Sequence, residues 1–239
     1  MPEGPEVKTY WDTIKFIKGK KLVGIKQLDE NDRYRVVVDL PVRVVDGGTH
    51  GKTMWWKLEN GKSIVIVHGM TGHWGLDEKE KFNRMEFSFE GGKKVYFSDM
   101  RKFGRVRVVE DLEKELEELG PAVLDKPSYE EFYGRFVATK MEIAKLLLDQ
   151  HYLAGIGNYL RAEILWEARL SPYRKFNTLT EEEKKVLYKK ALEVCDYHYR
   201  HPFDFNFKVY EQERDPLGNV VSHDKMAGRT IHWVPAVQH

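Results

Sequence analysis

LLLDQHYLAGIGNYLRAEIL, residues 146–165, is the stretch on which the reading of this chain turns. The runs MEIAKLLLDQ (141–150) and NYLRAEILWEA (158–168) carry apolar residues at helical spacing. The piece between them, HYLAGIG, holds Gly155 and Gly157 and is too short for more than a tight double turn. Asn158 reads as the N-cap of the second helix. Unpaired N–H groups and the helix dipole at such a terminus attract anions, and the two glycines let a phosphate come close to the backbone. Locally, the segment reads equally well as an ordinary helix–helix turn or as a clamp on a nucleic-acid backbone.

Around this segment the pattern is helical from residue 110 onward. EDLEKELEE (110–118) fits a short acidic helix, and SYEE and TEEE are capping boxes that place helix starts at Ser128 and Thr180. Upstream the pattern changes. KLVGIKQL, YRVVVDL, TMWWKL, SIVIVHG, RMEFSFE, KKVYFSD and RVRVVE are short β-rich runs between 21 and 110, separated by Gly and Asn/Asp turns, which predict a sandwich or barrel. Before them, residues 5–18 predict a helix with Val7, Trp11, Ile14 and Ile17 on one face and Gly19 as its stop. The last 30 residues turn β-like again, with DPLGN and MAG as turns and RTIHWV as a strand. The domain boundary falls within 110–127.

The totals exclude several classes. No run of 18 apolar residues is present to span a membrane, and no basic-then-apolar leader opens the chain, so an intracellular protein is expected. Cys195 is the only cysteine, which leaves no internal disulfide and no multi-cysteine metal site. The net charge of +1 does not advertise nucleic acid. The charge is nevertheless uneven: RKFGRVR (101–107) holds four basic groups and no acid, which permits a basic groove.

The first six residues are MPEGPE. With Met1 removed, Pro2 would present a secondary amine. An α-amine titrates near 8, about two units below a lysine side chain, so part of it is unprotonated at neutral pH. Such an amine can attack C1′ of a sugar and form a Schiff base, with Glu3 beside it as acid or base and Glu6 one turn on. Taken alone, MPEGPE reads more readily as a stiff lead into a helix.

Together these segments resemble the formamidopyrimidine-DNA glycosylase and endonuclease VIII family, in order and over nearly the whole chain. MPEGPEV resembles its catalytic N-terminus, HGKTMWW its lysine-bearing hairpin, VHGMTG a loop with an intercalating Met, and SDMRKFGR a loop with an Arg and a Phe. LLLDQHYLAGIGNYLRAEIL is similar to its helix-two-turn-helix, and GRTIHWVPAVQ to the arginine-bearing strand of its terminal finger. The resemblance implies an α+β fold: an N-terminal helix and β-sandwich catalytic domain (1–120), a helical helix-two-turn-helix domain (121–205) and a β-hairpin finger (206–239). It implies a base-excision repair glycosylase with abasic-site lyase activity, acting as a monomer on damaged double-stranded DNA and needing no cofactor. Pro2, Glu3, Lys52 and Arg229 would be catalytic. Asn158 would bind phosphate, Met70, Arg101 and Phe103 would fill the gap left by a flipped base, and Arg84 would be a further DNA contact. On their own residues, Lys52 reads as a surface lysine and Met70 and Phe103 as core.

The chain departs from the family at the finger. Many members close it with four cysteines on zinc, and here DPLGN and HWVPA stand where the cysteine pairs would be. His223 and His232 across a hairpin make a poor site, so the expectation is a zincless finger held by strand pairing and by Ile231, Trp233 and Val234. The short segment HPFDFNFKVYEQERDPLGN, with the endonuclease VIII-like wording of the two main motifs, tilts lesion preference to oxidised pyrimidines over formamidopyrimidines and 8-oxoguanine. A catalytically silent damage binder of the same fold is the competing reading, and an RNA-binding protein a more distant one.

Overall fold

The computed structural model describes residues 1–136, 139–226 and 228–239, so the turn expected at 226–228 lies partly outside the described residues. The chain forms two compact units, Met1–Pro2 with Glu6–Glu118, and Glu3–Pro5 with Leu119–His239.

In the first unit, helix α1 (Gly4–Ile14) runs into a 3-10 turn at Lys15–Ile17, shorter as an α-helix than the pattern predicts. Its apolar stripe is as expected: Val7, Trp11, Ile14 and Ile17 are all buried. Eight strands follow: β1 (Lys21–Gln27), β2 (Val42–His50), β3 (Thr53–Leu58), β4 (Ser63–Val67), β5 (His73–Gly75), β6 (Asn83–Phe89), β7 (Lys94–Ser98) and β8 (Arg105–Val109). They pair antiparallel in the order β5-β7-β6-β1-β2-β3-β4-β8. The middle of that order is thin, because β1 and β2 share only the pairs Lys21↔Arg43 and Leu22↔Val42. The two four-stranded halves face each other across one core, with Trp56 from β3 against Trp74 of β5 at 4.9 Å and Phe87 of β6 at 5.1 Å between ring centroids. That is a sandwich. A short acidic helix α2 (Leu112–Glu117), capped by the Asp111 side chain on Lys114 N–H, ends the unit as expected.

One expected strand is absent. YRVVVDL (34–40) follows a 3-10 turn (Asp32–Tyr34) and then runs irregularly, with Tyr34 buried and Val36 and Val38 packed on the core. The alternation is real, but it serves to bury Tyr34, Val36 and Val38 on the core, and the run pairs with neither edge strand, β5 or β8. β2, which the sequence pattern does not single out, occupies the place instead.

In the second unit, α3 (Tyr129–Tyr133) and α6 (Glu181–Arg200) both start on the expected capping boxes at Ser128 and Thr180. Helices α4 (Ile143–Leu148) and α5 (Asn158–Glu167) flank the double turn. From Tyr159 to Trp166 every residue of α5 is buried, so this helix is the axis of its unit. The hairpin of β9 (Ser222–Met226) and β10 (Arg229–Trp233) sends Met226 and Ile231 into the same helical core, while Val221 and Val234 pack with Trp166 and Val209.

Two aspartates fasten this hairpin in addition to the packing expected of it. Asp215 accepts hydrogen bonds from Leu217 N (3.0 Å), Asn219 N (2.8 Å) and the Trp166 indole (3.2 Å). Asp224 accepts from the Trp233 indole and the Tyr173 hydroxyl, each at 2.7 Å. Among the described residues no group of three or more His, Cys, Asp or Glu is arranged to hold a metal ion. Cys195 is buried in α6, and the residues at the hairpin do not fit a zinc knuckle.

Candidate functional site

The second unit gathers several of the candidate residues at one place, the N-terminus of α5. The N-cap is Gly157, not Asn158, which is the first helical residue. Gly157 has no capping side chain of its own. The cap comes from Glu3, whose carboxylate accepts from Gly157 N (2.6 Å), Tyr159 N (3.0 Å) and Leu160 N (3.3 Å). The anion site expected at this terminus is therefore filled by the protein itself, and those backbone donors are not available to a phosphate. Glu3 is 1% exposed. An added Cβ on Gly157 would lie 2.3 Å from the Glu3 carboxyl carbon, so the close approach needs glycine here. The positive end of the helix dipole and three N–H donors face this carboxylate.

Asn158 is locked rather than capping. Its Nδ2 donates to the Thr230 carbonyl of β10 (3.0 Å), and its Oδ1 accepts from Arg161. The first of these bonds ties α5 to the strand that carries Arg229, whose side chain is exposed. Arg161 escapes a reading by sequence motif. It is 1% exposed, and it also donates to the Ala144 carbonyl (3.3 Å). Burial lowers its pKa to about 10, opposed by the charge of Glu3 and reinforced by that of Arg229, so it remains a cation at neutral pH. The available signal is a charged residue within an otherwise apolar helical run.

In the first unit, Pro2 is buried and Met1 is 42% exposed. Glu6 is buried in α1, and its charge, after burial itself, raises the Tyr10 hydroxyl pKa. Lys52 lies in the turn between β2 and β3, half-buried, beside a left-handed Gly51. Its backbone lies close to His68, which is packed against Tyr10 and Phe97. Complete burial, partly opposed by the Lys52 backbone, lowers the His68 pKa to about 3 and keeps the ring neutral.

The wedge candidates occupy two neighbouring loops. Met70 is half-buried in the 68–72 loop, and Arg101 and Phe103 are exposed in the 99–104 loop, with the Arg101 guanidinium 4.9 Å from the Phe103 ring centroid. None of the three is core. Arg84 is placed differently from its expected role: it donates to the Asp99 carbonyl (2.8 Å) and pairs with Asp29 (3.0 Å), with its side chain only 13% exposed. It braces the second loop.

The second unit thus carries a carboxylate held against a helix N-terminus and an arginine-bearing strand tied to that helix, and the first unit carries exposed apolar and cationic side chains on two loops. The formamidopyrimidine-DNA glycosylase N-terminal domain matches residues 1–106, the H2TH domain of that glycosylase residues 107–197, and its C-terminal domain residues 201–239. The chain is 31% identical to the formamidopyrimidine-DNA glycosylase of Thermus thermophilus over 265 residues, covering 100% of this chain and 98% of that one. It is 29% identical to endonuclease 8 of Klebsiella pneumoniae over 274 residues, with both chains covered in full. The crystal structure of the MutM (Fpg) protein from Thermus thermophilus superposes with a TM-score of 0.86 at 30% identity, over 99% of this chain and 98% of that chain. The chain belongs to the formamidopyrimidine-DNA glycosylase family, whose relatives here carry both the formamidopyrimidine-DNA glycosylase and the endonuclease 8 names.

Proposed function

We propose that this chain is a base-excision repair enzyme that removes an oxidised base and then cuts the strand at the resulting abasic site. The observation that carries the reading is the Glu3 carboxylate, fixed by three backbone donors at the start of α5 and joined by one peptide bond to Pro2. A buried carboxylate held this firmly is suited to moving a proton beside a nucleophile.

In this mechanism, loss of Met1 frees the Pro2 amine, which attacks C1′ of the damaged nucleotide. The C1′–base bond breaks and the base leaves with a proton; the C1′–O4′ bond then breaks with a proton delivered to O4′, and an iminium joins Pro2 to the opened sugar. Glu3 serves as acid and base in base loss and in the later proton transfers. Removal of the C2′ proton expels the 3′ phosphate, and a second elimination expels the 5′ phosphate. Lys52 supplies a positive charge to the glycosylase and lyase steps, and Arg229 contacts phosphate and supports the second elimination. Asn158 contributes to phosphate binding at the start of α5, and Met70, Arg101 and Phe103 occupy the space of the flipped base, with Arg101 bonding the orphaned partner. Arg84 contributes by bracing the loop it touches. The partner is damaged double-stranded DNA bound by one protein chain inside the cell, and the hairpin of 206–239 works as a finger without zinc.

For lesion choice we favour oxidised pyrimidines, on the shortness of the segment between α6 and β9. A panel of duplexes, each with one lesion, tests the whole reading. The expected product is a one-nucleotide gap with phosphate on both ends, formed most rapidly from oxidised pyrimidines. Tight lesion binding without base release would show a silent binder, and intact strands bearing abasic sites would remove the lyase step.

A further inference from the structure

Asp99 has a position that the proposed chemistry does not use. It is 0% exposed, and its carboxylate collects donors from three separate places. Oδ1 accepts from the Thr71 hydroxyl (2.5 Å) and Arg101 N (3.2 Å), and Oδ2 accepts from Gly104 N (2.7 Å) and the Tyr34 hydroxyl (3.0 Å). Thr71 follows Met70, while Arg101 N and Gly104 N bracket Phe103. A single buried carboxylate thus ties both wedge-bearing loops together and fastens them to the core through Tyr34.

The surrounding contacts serve the same end. Arg84 holds the Asp99 carbonyl, and Asp29, which pairs with Arg84, also pairs with Lys102 at 2.7 Å. The two loops touch backbone to backbone at Gly69, which has φ +63° and where a Cβ would lie 2.5 Å from the Phe103 carbonyl carbon and 2.6 Å from Gly104 N. The side chains that the network leaves out are Met100, 53% exposed, Arg101 and Phe103, 50% exposed. The backbone is immobilised while the tips face outward. Side chains on loose loops would have to be ordered as they enter a base stack, which costs conformational entropy that a fixed loop has already lost.

We propose that Asp99 is a positioning residue that sets the Met70 loop and the Arg101–Phe103 loop as one preorganised wedge, so that filling the lesion gap and reading the opposite base occur together. This rests on the wedge roles given under Proposed function. The charge matters as well as the shape, because an Asn amide would present a donor to N–H groups that need an acceptor.

The test compares wild type, Asp99→Asn and Thr71→Val by hydrogen–deuterium exchange of the free protein and by two activities. Each variant is expected to speed exchange in both loops, 68–72 and 99–104; Thr71→Val removes both a donor to Asp99 and the acceptor of Arg101 N (2.9 Å). Misplacement on the ångström scale costs about 100-fold, so base excision from duplex by Asp99→Asn is expected to fall by about that factor. Borohydride trapping on a single-stranded abasic oligonucleotide, which has no stack to wedge, is expected to fall much less. Exchange changes confined to the altered loop, or equal losses on duplex and single strand, overturn the proposal. If Asp99→Asn does not fold, Tyr34→Phe, which removes a donor to Asp99 from outside both loops, decides by the same readouts. A wild type that releases no base refutes the enzyme reading, while the exchange result still decides whether Asp99 couples the loops.

Discussion

At the residue scale, Glu3 and Gly157 form a lock-and-key pair that can be broken from either side. Gly157 has φ −126°, open to any residue, and an alanine Cβ there would first meet the Glu3 side chain, 2.3 Å from its carboxyl group. Gly157→Ala should therefore displace Glu3 with little backbone strain and lower base excision by about 100-fold, measured as single-turnover rates beside Glu3→Gln. Equal rates for Gly157→Ala and wild type would mean that the placement of Glu3 at α5 does not matter to the chemistry. His68 gives a separate signature. Its folded pKa of about 3 lies below the ordinary value near 6.5, so unfolding takes up a proton between those limits. Its contribution is complete above about pH 6.5 and is lost as pH falls toward 3. Between pH 7 and 5 the wild type should lose roughly 1–2 kcal/mol more stability than His68→Leu, as read from urea unfolding at the two pH values.

At the level of elements, what the sequence discloses depends on how local the cause is. The starts of α3 and α6 are legible because Ser128 with Glu131, and Thr180 with Glu183, close their capping boxes within four residues. The start of α5 is misread by one residue because its cap, Glu3, lies 154 residues away from Gly157 along the chain. YRVVVDL is misread because alternation reports only that Tyr34, Val36 and Val38 face the core, which an irregular run does as well as a strand. Met70 and Phe103 look like core by composition, and only their motifs mark them as surface. The hairpin supplies a prediction at this scale. Hydrogen bonds from the Trp233 indole and the Tyr173 hydroxyl hold the Asp224 carboxyl below its usual range, and for Asp215 the bonds from Asn219, Trp166 and Leu217 outweigh an opposing effect of burial. Depressed carboxylate values mean stability present above about pH 4 and lost as pH falls through the folded values. Trp233 fluorescence should report an acid transition of the hairpin, and Asp224→Asn should shift it to higher pH and cost about 1–3 kcal/mol. An unchanged acid transition in Asp224→Asn would assign the fastening to other contacts.

At the scale of the whole molecule, near-neutral charge and DNA binding are compatible only if the basic groups act locally. Binding to a lesion duplex should then weaken steeply with salt, by about 1,000-fold or more between 50 and 200 mM if six or more phosphates are contacted. A salt-insensitive complex would contradict the assignment of Arg229 and Asn158 to the backbone. Because Asp215 and Asp224 close the hairpin, overnight treatment with a zinc chelator should leave both excision and Trp233 fluorescence unchanged, whereas a loss of either would show a metal in the finger. The central claim, that Pro2 is the nucleophile, has the most direct test. Protein whose N-terminal proline is verified by mass spectrometry is mixed with abasic-site duplex and borohydride, beside protein that retains Met1. The expected result is a covalent adduct mapped to Pro2 in the first sample and none in the second. No adduct from the processed protein, or an adduct mapped to Lys52, would contradict the mechanism.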